Sequence, residues 1–377
     1  MDRKKLIKKN IKKVVVKIGT ALLTTDTLHV NKKQIAEISA QIAVLREKGF
    51  DVILITSGAI VSGMSKLKLT KRPSDLPFLQ SCAAIGQSQL MKVYDEHFAK
   101  HNIVTAQILL TADDLSQRKR YLNARNTILT LLKHEVVPII NENDTVSVEE
   151  IKFGDNDRLA ALTANLIEAD MLILLSDVEG FCNIDKENKV GNRLKIVDKI
   201  TALHKQMACG PGQHGTGGMA TKVEAAKIAA DSGIYTVIAN GRKTGVLLEI
   251  LEKKDTGTLF LPANDKLAAR KKWIAFGIKP KGTITIDNGA KEALIHQGKS
   301  LLPAGIKNIR GDFKYGDSII LAGENDREFA RGIISYSSDE LEKIKGKKTS
   351  EIEKILGYKY YDEVVHRNNL VLLDREE

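Results

Sequence analysis

A dense group of acids and amides follows a short apolar run in the first half of the chain. The run 136–140 is predicted to be a buried strand, and the segments Asn-Glu-Asn-Asp (141–144) and Gly-Asp-Asn-Asp (154–157) come after it. Ligands of an open α/β sheet bind just beyond the carboxyl ends of its strands. Carboxylates this close together repel one another unless cations compensate them. The acids of the cluster are Glu142, Asp144, Asp155 and Asp157.

Two lysines stand where they could meet a charged ligand. Lys17 lies near the end of a predicted strand, 14–18, and Lys222 follows the glycine-rich segment 210–218 at the start of a predicted helix. A lysine at a strand end and a glycine loop that leads into a helix both suit phosphate groups. On spacing alone, a surface lysine and a plain flexible loop are the alternative interpretations.

A second helix start follows the predicted strand 51–56, where Ser57 and Gly58 precede apolar residues. Free N–H groups at a helix N-terminus, together with a serine hydroxyl, would bind a phosphate or a carboxylate. A serine hydrolase is disfavoured, because its nucleophile elbow needs glycine at the position that Ile55 occupies. Residues 210–215 match Gly-x-Gly-x-x-Gly, but no predicted strand leads into them, which excludes the dinucleotide fingerprint. The Walker pattern is absent as well.

Strands and helices alternate over the first 260 or so residues. Strands are predicted at 14–18, 51–56, 103–110, 136–140, 171–175 and 234–239, and helices at 34–48, 76–100, 121–134 and 158–169. This alternation predicts an α/β domain with a mostly parallel open sheet and helices on both faces. Ser176 and Asp177 directly follow a continuous apolar strand, a position that suits a ribose hydroxyl or a metal ion. Turn formation is the alternative for this pair.

The composition changes after about residue 262. A polar and basic stretch is followed by short predicted strands separated by glycine turns, which indicates a small β-rich domain. We expect domains at 1–262 and 274–377, joined by a linker at 263–273. A charged helical tail, 338–356, is expected to pack on the second domain.

The composition narrows the class of protein. The chain has 377 residues with 43% hydrophobic and 28% charged residues, and no apolar run reaches the length of a membrane helix. Three isolated cysteines argue against a disulfide framework and indicate a cytoplasmic protein. The formal net charge of +11 fits anionic ligands on a solvated basic surface better than nucleic acid, because aromatic residues make up only 5%.

Five motifs occur in the order typical of the glutamate 5-kinase family, which the chain resembles over nearly its whole length. They are 15–20 (Val-Val-Lys-Ile-Gly-Thr), 56–60 (Thr-Ser-Gly-Ala-Ile), 140–144 (Ile-Asn-Glu-Asn-Asp), 154–157 (Gly-Asp-Asn-Asp) and 215–222 (Gly-Thr-Gly-Gly-Met-Ala-Thr-Lys). The segments 286–290, 299–303 and 311–317 resemble a PUA domain. The resemblance implies an amino-acid kinase fold followed by a C-terminal PUA domain.

The activity that the resemblance implies is transfer of the γ-phosphoryl group of ATP to the side-chain carboxylate of L-glutamate, which begins proline biosynthesis. Phosphoryl transfer depends on positioning and charge neutralisation, and a carboxylate nucleophile needs no general base at neutral pH. By the same resemblance, Lys17 and Lys222 would flank the transferred group, and Asp157 would hold both lysines. Backbone N–H groups near Gly19 and Gly58 would bind the moving phosphoryl group.

The resemblance also assigns ligands to residues. Glutamate would bind Ser57, Asp144 and Asn156, with Asp144 suited to the α-ammonium group. Capping of the next helix is the alternative for Asp155 or Asn156. ATP would bind Lys17, Gly19, Thr20, Ser176, Asp177, Thr216, Gly217, Gly218, Met219, Ala220, Thr221 and Lys222. Mg²⁺ would be held mainly by the ATP phosphates, with no metal site built from protein alone.

Partners and rival functions complete the expectations. The resemblance implies a homo-oligomer, dimer or tetramer, and feedback inhibition by proline, for which the segment 145–153 is a candidate flap. One alternative is a kinase of the same superfamily that acts on aspartate, N-acetylglutamate or a nucleoside monophosphate. The other is an RNA-binding or RNA-modifying protein that works through the PUA domain, to which the basic stretch 270–273 would be suited. A solvated linker is the competing interpretation of that stretch.

Overall fold

A computed structural model of the chain describes residues 3–7, 10–25, 29–146, 156–184, 190–209, 218–263, 280–359 and 361–373. The chain divides into two units, Met1–Asp265 and Lys266–Glu377.

The first unit alternates between strands and helices. Its described strands are β1 (Lys13–Ile18), β2 (Asp51–Ile55), β3 (Thr105–Leu110), β4 (Val137–Glu142), β5 (Met171–Ser176), β6 (Cys182–Ile184), β7 (Val190–Arg193), β8 (Ile196–Val197), β9 (Tyr235–Asn240) and β10 (Thr258–Phe260). Its described helices are α1 (Arg3–Leu6), α2 (Thr20–Leu23), α3 (Lys32–Glu47), α4 (Ala59–Lys66), α5 (Leu76–Ala99), α6 (Ala112–Ser116), α7 (Arg118–Lys133), α8 (Asp157–Leu166), α9 (Ala202–Cys209), α10 (Met219–Asp231) and α11 (Val246–Leu251).

Eight strands form one sheet in the order β3-β4-β2-β1-β5-β9-β10-β8. The six strands from β3 to β9 run parallel, and β10 pairs antiparallel with β9. The predicted mostly parallel open sheet is therefore confirmed, whereas the antiparallel pairing of β9 with β10 and the small β6–β7 ribbon were not predicted. Because the central strands are parallel, the carboxyl ends of β1, β2, β4, β5 and β9 lie along one edge of the sheet.

The residues of β1 serve the two faces of the sheet in turn. Val14, Val16 and Ile18 belong to a core cluster that includes residues of α3 and α5, whereas Val15 belongs to a second cluster with residues of α8 and α10. Helices thus cover both faces, as predicted. Since side chains alternate along a strand, Lys17 falls on the face of Val15, which α8 and α10 cover.

Helices α4 and α5 pack so closely that glycine is required at their contact. A Cβ atom at Gly63 would lie 1.8 Å from the carbonyl oxygen of Cys82, and one at Gly86 would lie 1.9 Å from that of Ala59. Both obstacles are backbone atoms and cannot swing aside. This contact fixes α5 against the start of α4, which follows Ser57 at the end of β2.

The second unit contains the predicted β-rich domain. Its described strands are β11 (Gly282–Ile286), β12 (Ile306–Arg310), β13 (Ser318–Ala322), β14 (Glu328–Ile333) and β15 (Leu370–Leu372), and its described helices are α12 (Asn288–His296), α13 (Ser338–Ile344) and α14 (Ile352–Leu356). The sheet order is β12-β11-β13-β14-β15. The predicted helical tail is two short helices, and Leu341, Ile344 and Ile352 pack into the core of this unit.

Gly86→Ala is expected to destabilise the protein, because the new methyl group must push α4 and α5 apart. Overpacking of this kind costs about 1–3 kcal/mol. Urea unfolding followed by circular dichroism should show a lower midpoint than for the wild type. Ser88→Ala, at an exposed position of the same helix, is the control and should leave the midpoint unchanged. Equal midpoints for Gly86→Ala and the wild type would show that the helices separate without cost.

Candidate active site

Three ionisable side chains from three separate elements meet inside the first unit; we call them the lysine–aspartate trio. Asp157 Oδ1 lies 2.7 Å from Nζ of Lys17, and Asp157 Oδ2 lies 3.0 Å from Nζ of Lys222. The exposed fractions of Lys17, Asp157 and Lys222 are 2%, 0% and 7%. Two ammonium groups therefore share one carboxylate, and the trio keeps an excess positive charge when all three groups are ionised.

Each member of the trio is placed by the start or the end of an element. Lys17 is the last residue but one of β1, Asp157 is the first residue of α8, and Lys222 lies in the first turn of α10. Thr221, next to Lys222, donates from its Oγ1 to Asp157 Oδ2 over 3.1 Å. Thr221 is predicted to bind ATP, and its hydroxyl group also donates to Asp157.

The electrostatics of the trio explain why the acid is needed. Taking a charge out of water costs several kcal/mol per ion, and pairing with good geometry offsets much of that cost. Without Asp157, two ammonium groups would face each other in a poorly screened interior. Asp157 therefore allows Lys17 and Lys222 to be buried side by side, close to where an anion could approach.

Asn156, the residue before Asp157, connects the ends of two other strands. Its Nδ2 lies 2.7 Å from the carbonyl oxygen of Thr56, 2.7 Å from Asn141 Oδ1 and 3.2 Å from Ser57 Oγ. Asn156 is the N-cap residue of α8, as the alternative interpretation had it, but its side chain makes no capping hydrogen bond to the helix. The structure thus brings Ser57 and Asn156 together at the carboxyl ends of β2 and β4.

Asp144 lies in the turn after β4 and is 7% exposed. Its Oδ1 atom has no hydrogen-bond partner among the residues that the structure describes. Burial raises the pKa of Asp144 to about 6, and the positive charge of Arg72 opposes that shift. A buried acceptor without a donor suits a ligand that brings N–H groups, such as an ammonium ion.

Among the described residues expected to bind a nucleotide, Ser176 and Asp177 lie at the carboxyl end of β5, and Met219 to Lys222 begin α10. Ser176 ends β5 and donates to Asp177 Oδ1 over 3.1 Å, and Asp177 is exposed. Gly218 precedes α10, and the first turn of that helix contains Met219, Ala220, Thr221 and Lys222. An α-helix leaves its first N–H groups without internal partners, so this start can bind an anion.

Two glycines at strand ends are required for different reasons. Gly58 has φ of +95°, a left-handed conformation that glycine adopts without strain, and it precedes the first residue of α4. The N–H of Gly19 donates to the carbonyl oxygen of Leu175 over 2.9 Å, and a Cβ atom there would lie 3.1 Å from that oxygen. The contact between β1 and β5 therefore uses the N–H of Gly19 itself, and binding of the phosphoryl group by other N–H groups near Gly19 stays a prediction. Thr20 begins α2.

Some of the predicted site residues lie outside the described part of the chain. They are Thr216, Gly217 and the rest of the loop 210–217, Asp155, and positions 147–153 of the predicted flap. Among the described residues, no group of three or more His, Cys, Asp or Glu side chains could hold a metal ion. No described helix is both long and apolar enough to span a bilayer.

Sequence reasoning missed a set of buried polar side chains below this edge. Asn141 Nδ2 donates to Gln87 Oε1 over 2.8 Å, and the hydroxyl groups of Thr56 and Tyr94 lie 2.9 Å apart. Gln87 and Tyr94 belong to the buried face of α5. The sequence does contain a signal for Gln87: it is a polar residue at a position where the helical spacing predicts an apolar one, directly after a glycine inside the helix, Gly86.

Comparison with known proteins agrees with this geometry. The profile of the amino acid kinase family matches residues 12–240, and that of the PUA domain matches residues 282–356. The glutamate 5-kinase of Thermoanaerobacter sp. (strain X514) is 49% identical over 97% of this chain and 99% of its own length. That of Pelobacter propionicus is 47% identical over 98% of this chain and 100% of its own.

Among solved structures, the carbamate kinase of Giardia aligns with a TM-score of 0.48 at 18% identity, covering 67% of this chain and 99% of that one. A likeness this distant has no bearing on substrate.

The family profile and these relatives place the chain in the amino acid kinase class of phosphoryl-transfer proteins, and buried lysines at the carboxyl edge of a parallel sheet are consistent with that class. The chain belongs to the amino acid kinase family and, within it, to the glutamate 5-kinases.

The raised pKa of Asp144 predicts how stability changes with pH. In the unfolded chain this carboxyl ionises near its ordinary pKa of about 4, and in the folded protein near 6. Between these values the folded state binds a proton that the unfolded state lacks, so the contribution of this group to stability rises as pH falls. Above pH 6 the buried charge lowers stability.

Asp144→Asn, which cannot ionise, is therefore expected to raise the free energy of unfolding at pH 8, by on the order of 2 kcal/mol. The advantage should shrink as the pH approaches 4. Urea unfolding of the mutant and the wild type at several pH values measures both effects. A difference between the two proteins that stays constant from pH 4 to pH 8 would contradict the assignment.

Proposed function

We propose that this chain transfers the γ-phosphoryl group of ATP to the side-chain carboxylate of L-glutamate, forming L-glutamyl 5-phosphate, the first step of proline biosynthesis. The observation that carries the proposal is the buried lysine–aspartate trio at the carboxyl edge of a parallel sheet. It provides excess positive charge at the place where two anionic substrates must meet. Membership of the glutamate 5-kinases supports glutamate as the acceptor.

The reaction forms a bond from a γ-carboxylate oxygen of glutamate to the γ-phosphorus, while the bond from that phosphorus to the bridging oxygen of ADP breaks. The carboxylate is already ionised at neutral pH, so no base has to remove a proton. The main obstacle is repulsion between the anions. Lys17 and Lys222 would offset it and would stabilise the charge that spreads over the phosphoryl oxygens in the transition state. Asp157 keeps both amines in place.

The glutamate subsite would lie where the ends of β2 and β4 meet. Asp144 would offer the α-ammonium group a buried carboxylate oxygen that no described residue contacts by a hydrogen bond, and its charge is present above its pKa of about 6. The Ser57 hydroxyl can bind a carboxylate, and the side-chain oxygen of Asn156 can accept from the α-ammonium group. The backbone N–H groups at the start of α4, after Gly58, can donate hydrogen bonds to an anion.

ATP would lie along the neighbouring strand ends, with Ser176 and Asp177 after β5 and the start of α10 at its phosphates. Mg²⁺ would be held chiefly by the phosphates of ATP, where it adds charge neutralisation. The carboxylate of Asp157 fits this view, since both of its oxygens already face lysine amines.

The remaining expectations stay predictions. The second unit contains a cleft of about 600 Å³, whose lining includes Asp287, Lys299 and Glu363. The mixed charge of this lining does not favour an RNA over another ligand. The basic stretch 270–273 lies outside the described residues. Proline inhibition and a homo-oligomer remain expectations from the family.

An ATP-consumption assay against a panel of acceptors tests the proposal. The panel contains L-glutamate, L-aspartate, N-acetylglutamate and UMP, and hydroxylamine traps any acyl phosphate as a hydroxamate. We expect ATP consumption with hydroxamate formation for L-glutamate and much lower rates for the others. Consumption with UMP but not with glutamate, or no hydroxamate with glutamate, would refute the proposed function.

Lys222→Met and Lys17→Met are each expected to lower kcat by roughly 100-fold or more, because each removes a charge that acts on the transition state. The KM for glutamate should change much less. Asp157 keeps one lysine partner in either mutant, so circular dichroism should show a folded protein. Lys227→Met, an exposed position on the same helix as Lys222, is the control and should keep wild-type turnover. Near-normal kcat in either site mutant would refute the mechanism.

A further inference from the structure

Three buried side-chain amides form a continuous chain from α5 to the start of α8; we call Gln87, Asn141 and Asn156 the amide chain. Asn156 Nδ2 donates to Asn141 Oδ1 over 2.7 Å, and Asn141 Nδ2 donates to Gln87 Oε1 over 2.8 Å. All three residues are buried, with exposed fractions of 1%, 2% and 8% for Asn156, Asn141 and Gln87. Only Asn156 has a place in the activity proposed above.

The direction of the amide chain is fixed at one end by the backbone. The carbonyl oxygen of Thr56 can only accept, so the group of Asn156 that lies 2.7 Å from it must be the NH₂ group. Asn141 must then present its oxygen to Asn156 and its NH₂ group to Gln87. Gln87 must in turn present its oxygen. Rotating any one amide by half a turn would place two donors or two acceptors against each other.

The fixed direction leaves an acceptor at the end near the glutamate subsite. Asn156 Oδ1 is buried and has no hydrogen-bond partner among the described residues. Asp144 follows β4, the strand that contains Asn141. Its Oδ1 atom is likewise buried and has no hydrogen-bond partner among the described residues. Leaving a buried acceptor unpaired costs free energy. Two such acceptors in one region indicate a ligand that brings N–H donors.

We propose that Gln87 is a positioning residue, which acts through Asn141 to keep the carbonyl oxygen of Asn156 available to the α-ammonium group of glutamate. This inference rests on the proposed function. Gln87 itself need not touch the substrate, because its oxygen is the acceptor for the NH₂ group of Asn141, and Asn141 so held keeps its own oxygen on the NH₂ group of Asn156. The close contact at Gly86 holds this part of α5 against α4, so Gln87 cannot withdraw easily.

The test compares Gln87→Met with Gln87→Glu in steady-state kinetics of the full-length protein. Methionine has a similar length but lacks a strong acceptor, so the NH₂ group of Asn141 loses its acceptor. The Gln87→Glu side chain keeps an acceptor oxygen whether or not its carboxyl group is protonated. We expect the KM for glutamate to rise roughly tenfold in Gln87→Met. In Gln87→Glu the KM for glutamate should rise at most about threefold. In both mutants kcat and the KM for ATP should stay near their wild-type values.

A second measurement separates positioning from a general loss of structure. Glutarate lacks the α-ammonium group, so its inhibition constant against glutamate should be the same for Gln87→Met as for the wild type. Ser88→Ala, exposed on the same helix, is the control and should match the wild type throughout.

The outcomes distinguish this inference from the proposed function. A wild-type protein that does not phosphorylate glutamate refutes the function, and the inference with it. An active wild type refutes only the inference if Gln87→Met leaves the KM for glutamate unchanged, or if Met and Glu at position 87 raise it equally. A parallel rise in the KM for ATP, or an equal loss of glutarate binding, would likewise show that Gln87 is merely structural.

Discussion

The interaction on which the site depends is the sharing of one buried carboxylate by two lysines. Asp157 contacts Lys17 and Lys222 through different oxygens, at 2.7 and 3.0 Å. Burial makes each charge expensive and also makes its effect on a neighbouring anion strong, because little water remains to screen it. An arrangement with one acid and two bases is therefore both stable enough to form and positive enough to bring anions together.

The parallel sheet makes that arrangement possible. Consecutive strands of an α/β unit end at one edge, so residues far apart in the chain become neighbours there. The two-residue alternation along β1 turns Lys17 toward the face that α8 and α10 cover, where Asp157 and Lys222 begin those helices. The alternation along β1 and the starts of α8 and α10 thus bring the three charges together.

Beside the charges, the site is shaped by polar groups that have few alternatives. The carbonyl oxygen of Thr56 orients Asn156, and one buried oxygen on each of Asn156 and Asp144 accepts no hydrogen bond from the part of the chain that the structure describes. Burial raises the pKa of Asp144, which reflects the cost of holding a charged carboxylate there. Buried polar groups that lack a protein partner are typical of binding sites, because a ligand can supply the missing hydrogen bond or charge.

The sequence by itself determined the alternation of strands and helices, the β-rich second unit and the residue types of the site, because apolar periodicity and strand-end motifs are local signals. Only the tertiary structure decided that the side chain of Asn156, the N-cap residue of α8, donates to the ends of two other strands. It also decided that the N–H of Gly19 donates to β5 and that Gln87 accepts from Asn141. These outcomes depend on contacts between distant segments, and no local pattern specifies which distant atom will satisfy a buried polar group.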